Sequence, residues 1–352
     1  MRDSQKVFVM SKSLSPPVPK RPPMDPLQGV RRIPLAPHQM TASITASEDL
    51  FVLAHLGVPR VDPAHWSLVV EGLVGRPVRL ALDDLRRRPK TIVESMHQCC
   101  GNPLEPRVAA RRIANVRWGG VDLAALLSEL EVDFRARYLW SYGLDGGDFA
   151  GRRCDWYVKD LPLTRLAADG VLLAYELNGA PLSAEHGFPL RLVVPGYYGT
   201  NSVKWLWRLQ LAEQRAEGPF TSDLYNDPVD ASGLAAGLPS HQPVWAIAPE
   251  SIIVAPGPDG AVTHGETSEI WGWAWSFRGI AGVEVSVDGG DNFRRATLSP
   301  RRNWSWQRFS LPWRPDRPGR AALCVRAFET GGAAQPQDGA RNAIHTVQVV
   351  VG

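Results

Sequence analysis

The stretch Met96-His97-Gln98-Cys99-Cys100-Gly101-Asn102 places a soft sulfur donor ahead of a Gly-Asn turn, in a chain with only two other cysteines, Cys154 and Cys324. Three kinds of chemistry suit such a residue. Cys99 can be a packed thiol, since cysteine is among the most buried residue types. It can be a nucleophile with His97 as base, although two neighbours on one strand lack the third, orienting group that a triad uses. It can also be a single thiolate ligand to a soft metal. No CxxC or HxxxH pair accompanies it, so in that case a cofactor must bring the remaining donors.

A second stretch, His186-Gly187-Phe188-Pro189-Leu190-Arg191 through Pro195-Gly196-Tyr197-Tyr198-Gly199-Thr200-Asn201-Ser202-Val203-Lys204-Trp205-Leu206, carries a strand with Arg191 into a glycine-rich loop. Arg191 as a bidentate donor, Lys204 as a point charge and open glycine amides together suit a phosphate or pyrophosphate. A hairpin with solvated cations is the plain alternative.

The elements that would position these stretches are mostly short. Thr91 to Met96 is β-branched and apolar at its start, which sets the Cys99 loop at a strand end, where sites concentrate. Trp66 to Val74, Tyr138 to Leu144 and Val171 to Gly179 read as strands, the last ending in an Asn178-Gly179 turn. Asp122 to Leu130 and Pro162 to Ala168 read as helices, and Asp83 or Asp84 offers a helix cap. Strands and short helices interleave without a regular βαβ period, so the expected class is a mixed α+β domain. Residues 1–44 are proline-rich and predict an extended surface arm. From about residue 245 short strands recur with turn signals, Asp288-Gly289-Gly290 among them. About seven strands over roughly 100 residues predict an immunoglobulin-like sandwich at 245–352, joined through a linker at 231–244 to an ordered region at 45–230.

Composition narrows the function classes. Length 352 allows two cores, and 44% apolar with 21% charged residues speaks against disorder over most of the chain. A formal net charge of +3 gives no field for a nucleic-acid binder, though a local basic pocket remains compatible with it. The 13 Trp, 32 Gly and 30 Pro suggest β-structure with aromatics on rigid turns. Four scattered cysteines make no disulfide framework, no apolar run is long enough to span a membrane, and no signal core follows Arg31-Arg32. A cytoplasmic location is therefore expected, or a periplasmic one if an export signal was removed.

Taken together, the two stretches resemble the sulfite oxidase family of molybdenum enzymes. Gln98-Cys99-x-Gly101-Asn102 is similar to that family's cysteine loop, and His186 to Leu206 to its H-G-[FY]-P-[LV]-R…P-G-x-x-G…V-K-W-L segment. Asp62-Pro63-x-x-Trp66 to Val74 and Gly272-Trp273-Ala274-Trp275 to Gly290 resemble two further segments, so the likeness covers nearly all of the chain after about residue 45. It implies a molybdopterin-binding catalytic domain followed by a dimerisation domain, and a molybdenum held by one pterin dithiolene, oxo groups and the Cys99 thiolate. His55, His186, Arg191, Ser202 and Lys204 match the cofactor-binding positions. Tyr157 matches the active-site tyrosine, Asp148 stands where an acidic residue lies near the metal, and Cys100 replaces a small residue.

The implied activity is oxo transfer to or from a small oxyanion or sulfur- or nitrogen-oxide substrate by a homodimer, with electrons exchanged with an external carrier such as a cytochrome, as no haem segment is seen. Departures bear on the substrate. Leu53-Ala54 replaces the Arg-Asn before the early histidine, and Pro103 and Leu104 replace two arginines after the cysteine loop. A small dianion needs compensating cations, and Arg107, Arg111, Arg112 or Arg341 are the candidates to supply them. The readings kept beside sulfite oxidation are reduction of an S-oxide, N-oxide or nitrate, a non-catalytic molybdopterin-binding protein, and a cysteine hydrolase.

Overall fold

Alternating and continuous apolar runs dictate sheet, and sheet dominates. The computed structural model describes residues 21–25, 29–30, 34–102, 111–229, 231–338 and 341–352. The expected α+β mix is realised as mostly strand: the α-helices among the described residues are Leu82–Arg86, Leu123–Ser128 and Ala231–Ala235. Asp84 accepts from the Ala81 N–H and Asp122 from Ala125 N–H, so each of the first two helices is held by a carboxylate at its N-terminal end. The Pro162 to Ala168 segment forms a 3-10 turn, Leu163–Ala167.

The N-terminal region is built on two sheets. One runs in the order Val158–Pro162, Tyr138–Gly143, Leu206–Ala212, Leu68–Gly72, Val78–Leu80, with a single parallel pairing between Leu206–Ala212 and Leu68–Gly72. The other runs Ala180–Pro181, Leu172–Leu177, Ile113–Asp122, Thr91–Gln98, and Arg191–Val193 also pairs with Leu172–Leu177. The main core lies on the first sheet, with Leu68, Leu139 and Leu209 packed against Leu123 and Leu126 of the short helix. A second cluster, including Phe51, Trp118 and Leu172, lies beneath the Cys99 strand. The site is thus set between layers whose side chains exclude water.

In the C-terminal region, Glu250–Ala255, Ser268–Trp275, Gln307–Trp313 and Thr297–Leu298 form one sheet. Ala261–Val262, His345–Val351, Gly319–Glu329, Ile280–Ser286 and Phe293–Arg295 form the other. Inward residues of both, such as Ile270, Phe309, Val283, Val325 and Val349, share one aliphatic core, as alternation on facing sheets requires. The Asp288-Gly289-Gly290 turn takes positive φ at both glycines. It joins Ile280–Ser286 to the short Phe293–Arg295 strand rather than to the strand near Trp304.

Two expectations change. The segment expected as an open linker is partly ordered: Asn226–Pro228 pairs antiparallel with His241–Pro243 around the Ala231–Ala235 helix, and Val229 N–H donates to Ser240 O. Of the N-terminal arm, residues 1–20 lie outside the described residues. Its later part does not merely trail over the surface. Met24–Asp25 pairs with Val58–Pro59 and Gly29–Val30 with Leu53–Ala54. Met40 is buried, its carbonyl accepting from Trp273 Nε1.

The two regions meet at an aromatic seam. Met96, Ile113 and Tyr198 pack with Ile252, Trp273, Trp275 and Trp306. The Cys99 strand exchanges backbone bonds with Trp304, Met96 N–H to Trp304 O at 3.0 Å and Trp304 N–H to Glu94 O at 3.1 Å.

Candidate cofactor cavity around Cys99

The strand Thr91–Gln98 delivers Cys99 to the edge of a cavity of about 720 Å³, open volume at its mouth included. Cys99 is buried, its N–H donating to Arg112 O at 2.9 Å. The Gly101 N–H lies 3.4 Å from its sulfur. The Cys100 thiol first, then Gly101 N–H and Arg112, draw the Cys99 thiol down to about 6 against the opposing effect of burial. Cys100 is correspondingly pushed up.

The opposite wall comes from the Ala184–His186 turn, the Arg191–Val193 strand and the loop to Trp205. Arg191 donates through Nη1 to His186 O (3.1 Å) and through Nη2 to Ser202 O (3.1 Å), and its guanidinium lies 4.6 Å from the Trp118 ring centroid. Its buried Nε has no hydrogen-bond partner among the described residues. Lys204 Nζ donates to Leu53 O and Glu185 O, both at 2.9 Å. Ser202 Oγ accepts from Val194 N–H, and Ser183 Oγ lies 2.9 Å from His186 Nδ1. Close packing here needs glycine: a Cβ on Gly187 (φ +107°) would lie 3.1 Å from Lys204 Cβ and 3.2 Å from Arg191 Cβ. Gly199 brings the loop against His97 and the Gln98 carbonyl, where a Cβ would approach to 3.2 and 3.1 Å.

Burial lowers Arg191 to about 9; burial and then the Arg191 charge lower Lys204 to about 7. His55 falls to about 4, by burial and then Lys204, and His97 falls well below its usual range, by burial and then Arg191. A neutral His97 stacks on Phe51 and meets Trp118 edge-on. Neutral His55 is boxed by Phe149, Phe220 and Tyr225, with Tyr225 Oη 2.6 Å from its Nε2. Tyr157 Oη donates to the Thr200 carbonyl at 2.8 Å and stands 2.8 Å from Thr200 Oγ1; burial raises it well above its usual range.

Cys99, Tyr157, His55, His186, Arg191, Ser202 and Lys204 are therefore brought to one cavity. Asp148 is not. It sits in the hairpin Gly147–Phe149, largely exposed, and pairs with Arg153 at 3.0 Å. The acids that line the cavity are Glu185 and Asp145, the latter three residues earlier than Asp148, pushed up by burial and held back by Lys204. Its signal was an acid directly after the strand Tyr138–Gly143, ahead of Gly146-Gly147. Tyr225 and Thr200 were also passed over. Of the four arginines considered for substrate, Arg107 lies outside the described residues. Arg112 binds Gly101 O, Arg341 pairs with Asp227, and Arg111 is buried towards Glu250. None of these three lines the cavity.

The residues fit a molybdenum–pterin phosphate group. Among the described residues no three His, Cys, Asp or Glu side chains could hold a metal ion by themselves, so one thiolate needs a cofactor with donors of its own. Desolvated cations held near one another, and an Arg191 Nε without a hydrogen-bond partner among the described residues, suit an incoming anion even with Asp145 and Glu185 in the lining.

Comparison with known proteins points to the same kind of cofactor. Residues 55–220 match the oxidoreductase molybdopterin binding domain, and 241–350 the Mo-co oxidoreductase dimerisation domain. The sulfite oxidase of Gallus gallus is 34% identical over 304 residues, which is 76% of this chain and 62% of that one. The sulfite oxidase of Arabidopsis thaliana is 32% identical over 289 residues, covering 73% and 71%. The chain thus spans about three-fifths of the length of the Gallus gallus relative. The crystal structure of the sulfane dehydrogenase SoxCD from Paracoccus pantotrophus superposes with a TM-score of 0.75 at 28% identity, over 88% of this chain and 82% of that one.

Proposed function

The chain belongs to the sulfite oxidase family of molybdopterin-dependent oxidoreductases, and from that premise we propose that it transfers an oxygen atom to or from a small sulfur- or nitrogen-centred substrate in the Cys99 cavity. What carries the reading is the meeting, in one cavity, of a thiol of lowered pKa with buried, crowded cations. When bound, the cofactor supplies a two-electron redox centre able to exchange an oxygen atom with substrate. In this reading Cys99 is the metal ligand. Arg191, Lys204, Ser202 and His186 hold the pterin and its phosphate, and His55, kept neutral and oriented by Tyr225, packs on it without adding charge. Tyr157 stays protonated, and its hydroxyl, which donates to the Thr200 carbonyl in this structure, would turn to donate to the substrate instead. The aromatic box around His55 excludes bulk water.

Sulfite itself is the less supported member of the substrate class. Arg111, Arg112 and Arg341 do not line the cavity, Arg112 being bound to Gly101 O and Arg341 to Asp227, and desolvating a dianion demands cations at the reacting end. We also propose that the C-terminal sandwich, read as an immunoglobulin-like domain, pairs two copies of the chain, and that electrons pass to an external one-electron carrier such as a cytochrome.

The test begins with molybdenum and pterin content per chain in protein from a host that makes the cofactor, where one of each is expected. Stopped-flow reduction by sulfite and reoxidation by a panel of sulfur and nitrogen oxides then identify substrate and direction. Folded protein devoid of molybdenum would overturn the reading. A loaded centre inert to every probe would favour a binding protein without turnover.

A further inference from the structure

The Cys99 loop is not held by its own region alone. The residue before Cys99 and the asparagine closing the turn reach one carboxylate: Gln98 Nε2 donates to Glu250 Oε2 at 2.5 Å, and Asn102 Nδ2 to Glu250 Oε1 at 3.4 Å. Glu250 opens the strand Glu250–Ala255 of the C-terminal sandwich and is 3% exposed. Trp275, its partner across that sheet, donates from Nε1 to Gln98 Oε1 at 2.7 Å. Arg112 closes the other side. Its N–H donates to Asn102 Oδ1, its Nη1 to Gly101 O at 3.1 Å, and its carbonyl accepts from Cys99 N–H at 2.9 Å.

Fully burying an acid costs free energy that the nearby Arg111 charge offsets only in part, and Arg111 alone does not call for amide partners on the Cys99 loop. What a carboxylate supplies is two acceptors at fixed separation, which suits two amide donors placed on either side of a ligand. We infer that Glu250 is a positioning residue which, through Gln98 and Asn102, fixes the direction in which Cys99 presents its sulfur, so that the C-terminal sandwich sets the geometry of the metal ligand. This rests on reading Cys99 as that ligand. A loop with free amides would let the sulfur sample several orientations, and supporting hydrogen bonds around a ligand commonly govern affinity for the metal.

The test compares wild type, Glu250→Ala, Glu250→Gln and Glu284→Ala, all loaded with cofactor. Glu284 pairs with Arg326 on the same sandwich (2.7 Å) and controls for general loosening. X-ray absorption gives the sulfur coordination of the metal. Electron paramagnetic resonance of the dithionite-poised Mo(V) state reports its geometry without any substrate. Glu250→Ala is expected to convert one Mo(V) signal into several and to weaken metal retention about tenfold or more. Glu250→Gln, which keeps one acceptor, shows a smaller change of the same kind, and Glu284→Ala none. A wild-type centre without protein sulfur overturns the ligand reading. A wild-type centre with it, but an unaltered signal and retention in Glu250→Ala, overturns the brace alone. If Glu250→Ala does not fold, an unaltered Glu250→Gln does so instead, as does an equal change in Glu284→Ala.

Discussion

The cavity and the sandwich treat charge in opposite ways. In the sandwich, the apolar core is free of charge and, apart from Glu250 at the seam, the ions named here sit at the rim in partnered pairs: Arg326 with Glu284, Arg308 with Glu269, Arg320 with Asp259. In the cavity, buried Arg191 and half-buried Lys204 are bound to carbonyls, with pKa values forced down. Rim pairs contribute little to stability either way, whereas desolvated cations that repel one another burden the fold. The difference separates a region built for stability from one that accepts a cost so that an anion can relieve it.

The sharpest break of that contrast is Cys99→Ala, expected to remove protein sulfur from the metal and to lower turnover by on the order of 100-fold, with little change in thermal unfolding of the metal-free protein. X-ray absorption and calorimetry read the two parts. Phe309→Ala in the sandwich core should do the reverse. A loss of about 3–5 kcal/mol is expected on denaturant unfolding, while molybdenum per folded chain stays near wild type.

Arg191→Met probes whether the cavity cation serves the ligand. Loss of its charge-assisted bonds to the phosphate predicts about tenfold weaker cofactor retention, with metal-free stability altered by no more than about 1 kcal/mol, because a desolvated charge is removed along with its carbonyl bonds. Equal damage to stability and retention would make Arg191 a structural residue.

Lys204 supplies a pH test. Its folded pKa, about 7, lies below the ordinary lysine value, so between the two the unfolded chain binds the extra proton. Stability of the metal-free protein therefore gains as pH rises through that window, by on the order of 1 kcal/mol per pH unit near its start. Lys204→Met should flatten the rise, and bound cofactor should diminish it by pairing the ammonium. The smallest effect is expected from Glu284→Ala, at most about 1 kcal/mol and reduced by salt, measured by thermal unfolding at two ionic strengths.

Much of the site was legible because its residues are close in the chain. His186, Arg191, Ser202 and Lys204 fall within one stretch, and a strand, a turn and a glycine loop suffice to gather them. Cys99 stood out as a rare thiol before a Gly-Asn turn. Asp148 against Asp145 shows the limit. Both are acids in one Gly-rich turn, and only the register of the hairpin Gly147–Phe149 with Arg152–Cys154 decides which faces solvent. The strand pairings of the linker and the arm were not legible for a related reason: proline and glycine content reports what a segment lacks locally, not the distant strand edge that pairs with it.

The sequence by itself determined the strand-rich class, the two cores, the cysteine loop and most of the cavity wall, because these follow from local periodicity and from rare residue types at short spacing. Only the tertiary structure decided that Tyr225 meets His55, that Asp145 rather than Asp148 lines the cavity, and that Glu250 reaches Gln98 and Asn102. Those partners lie as much as 170 residues apart. Contacts across such separations arise from how sheets stack and which faces they bury, and no short-range pattern carries that information.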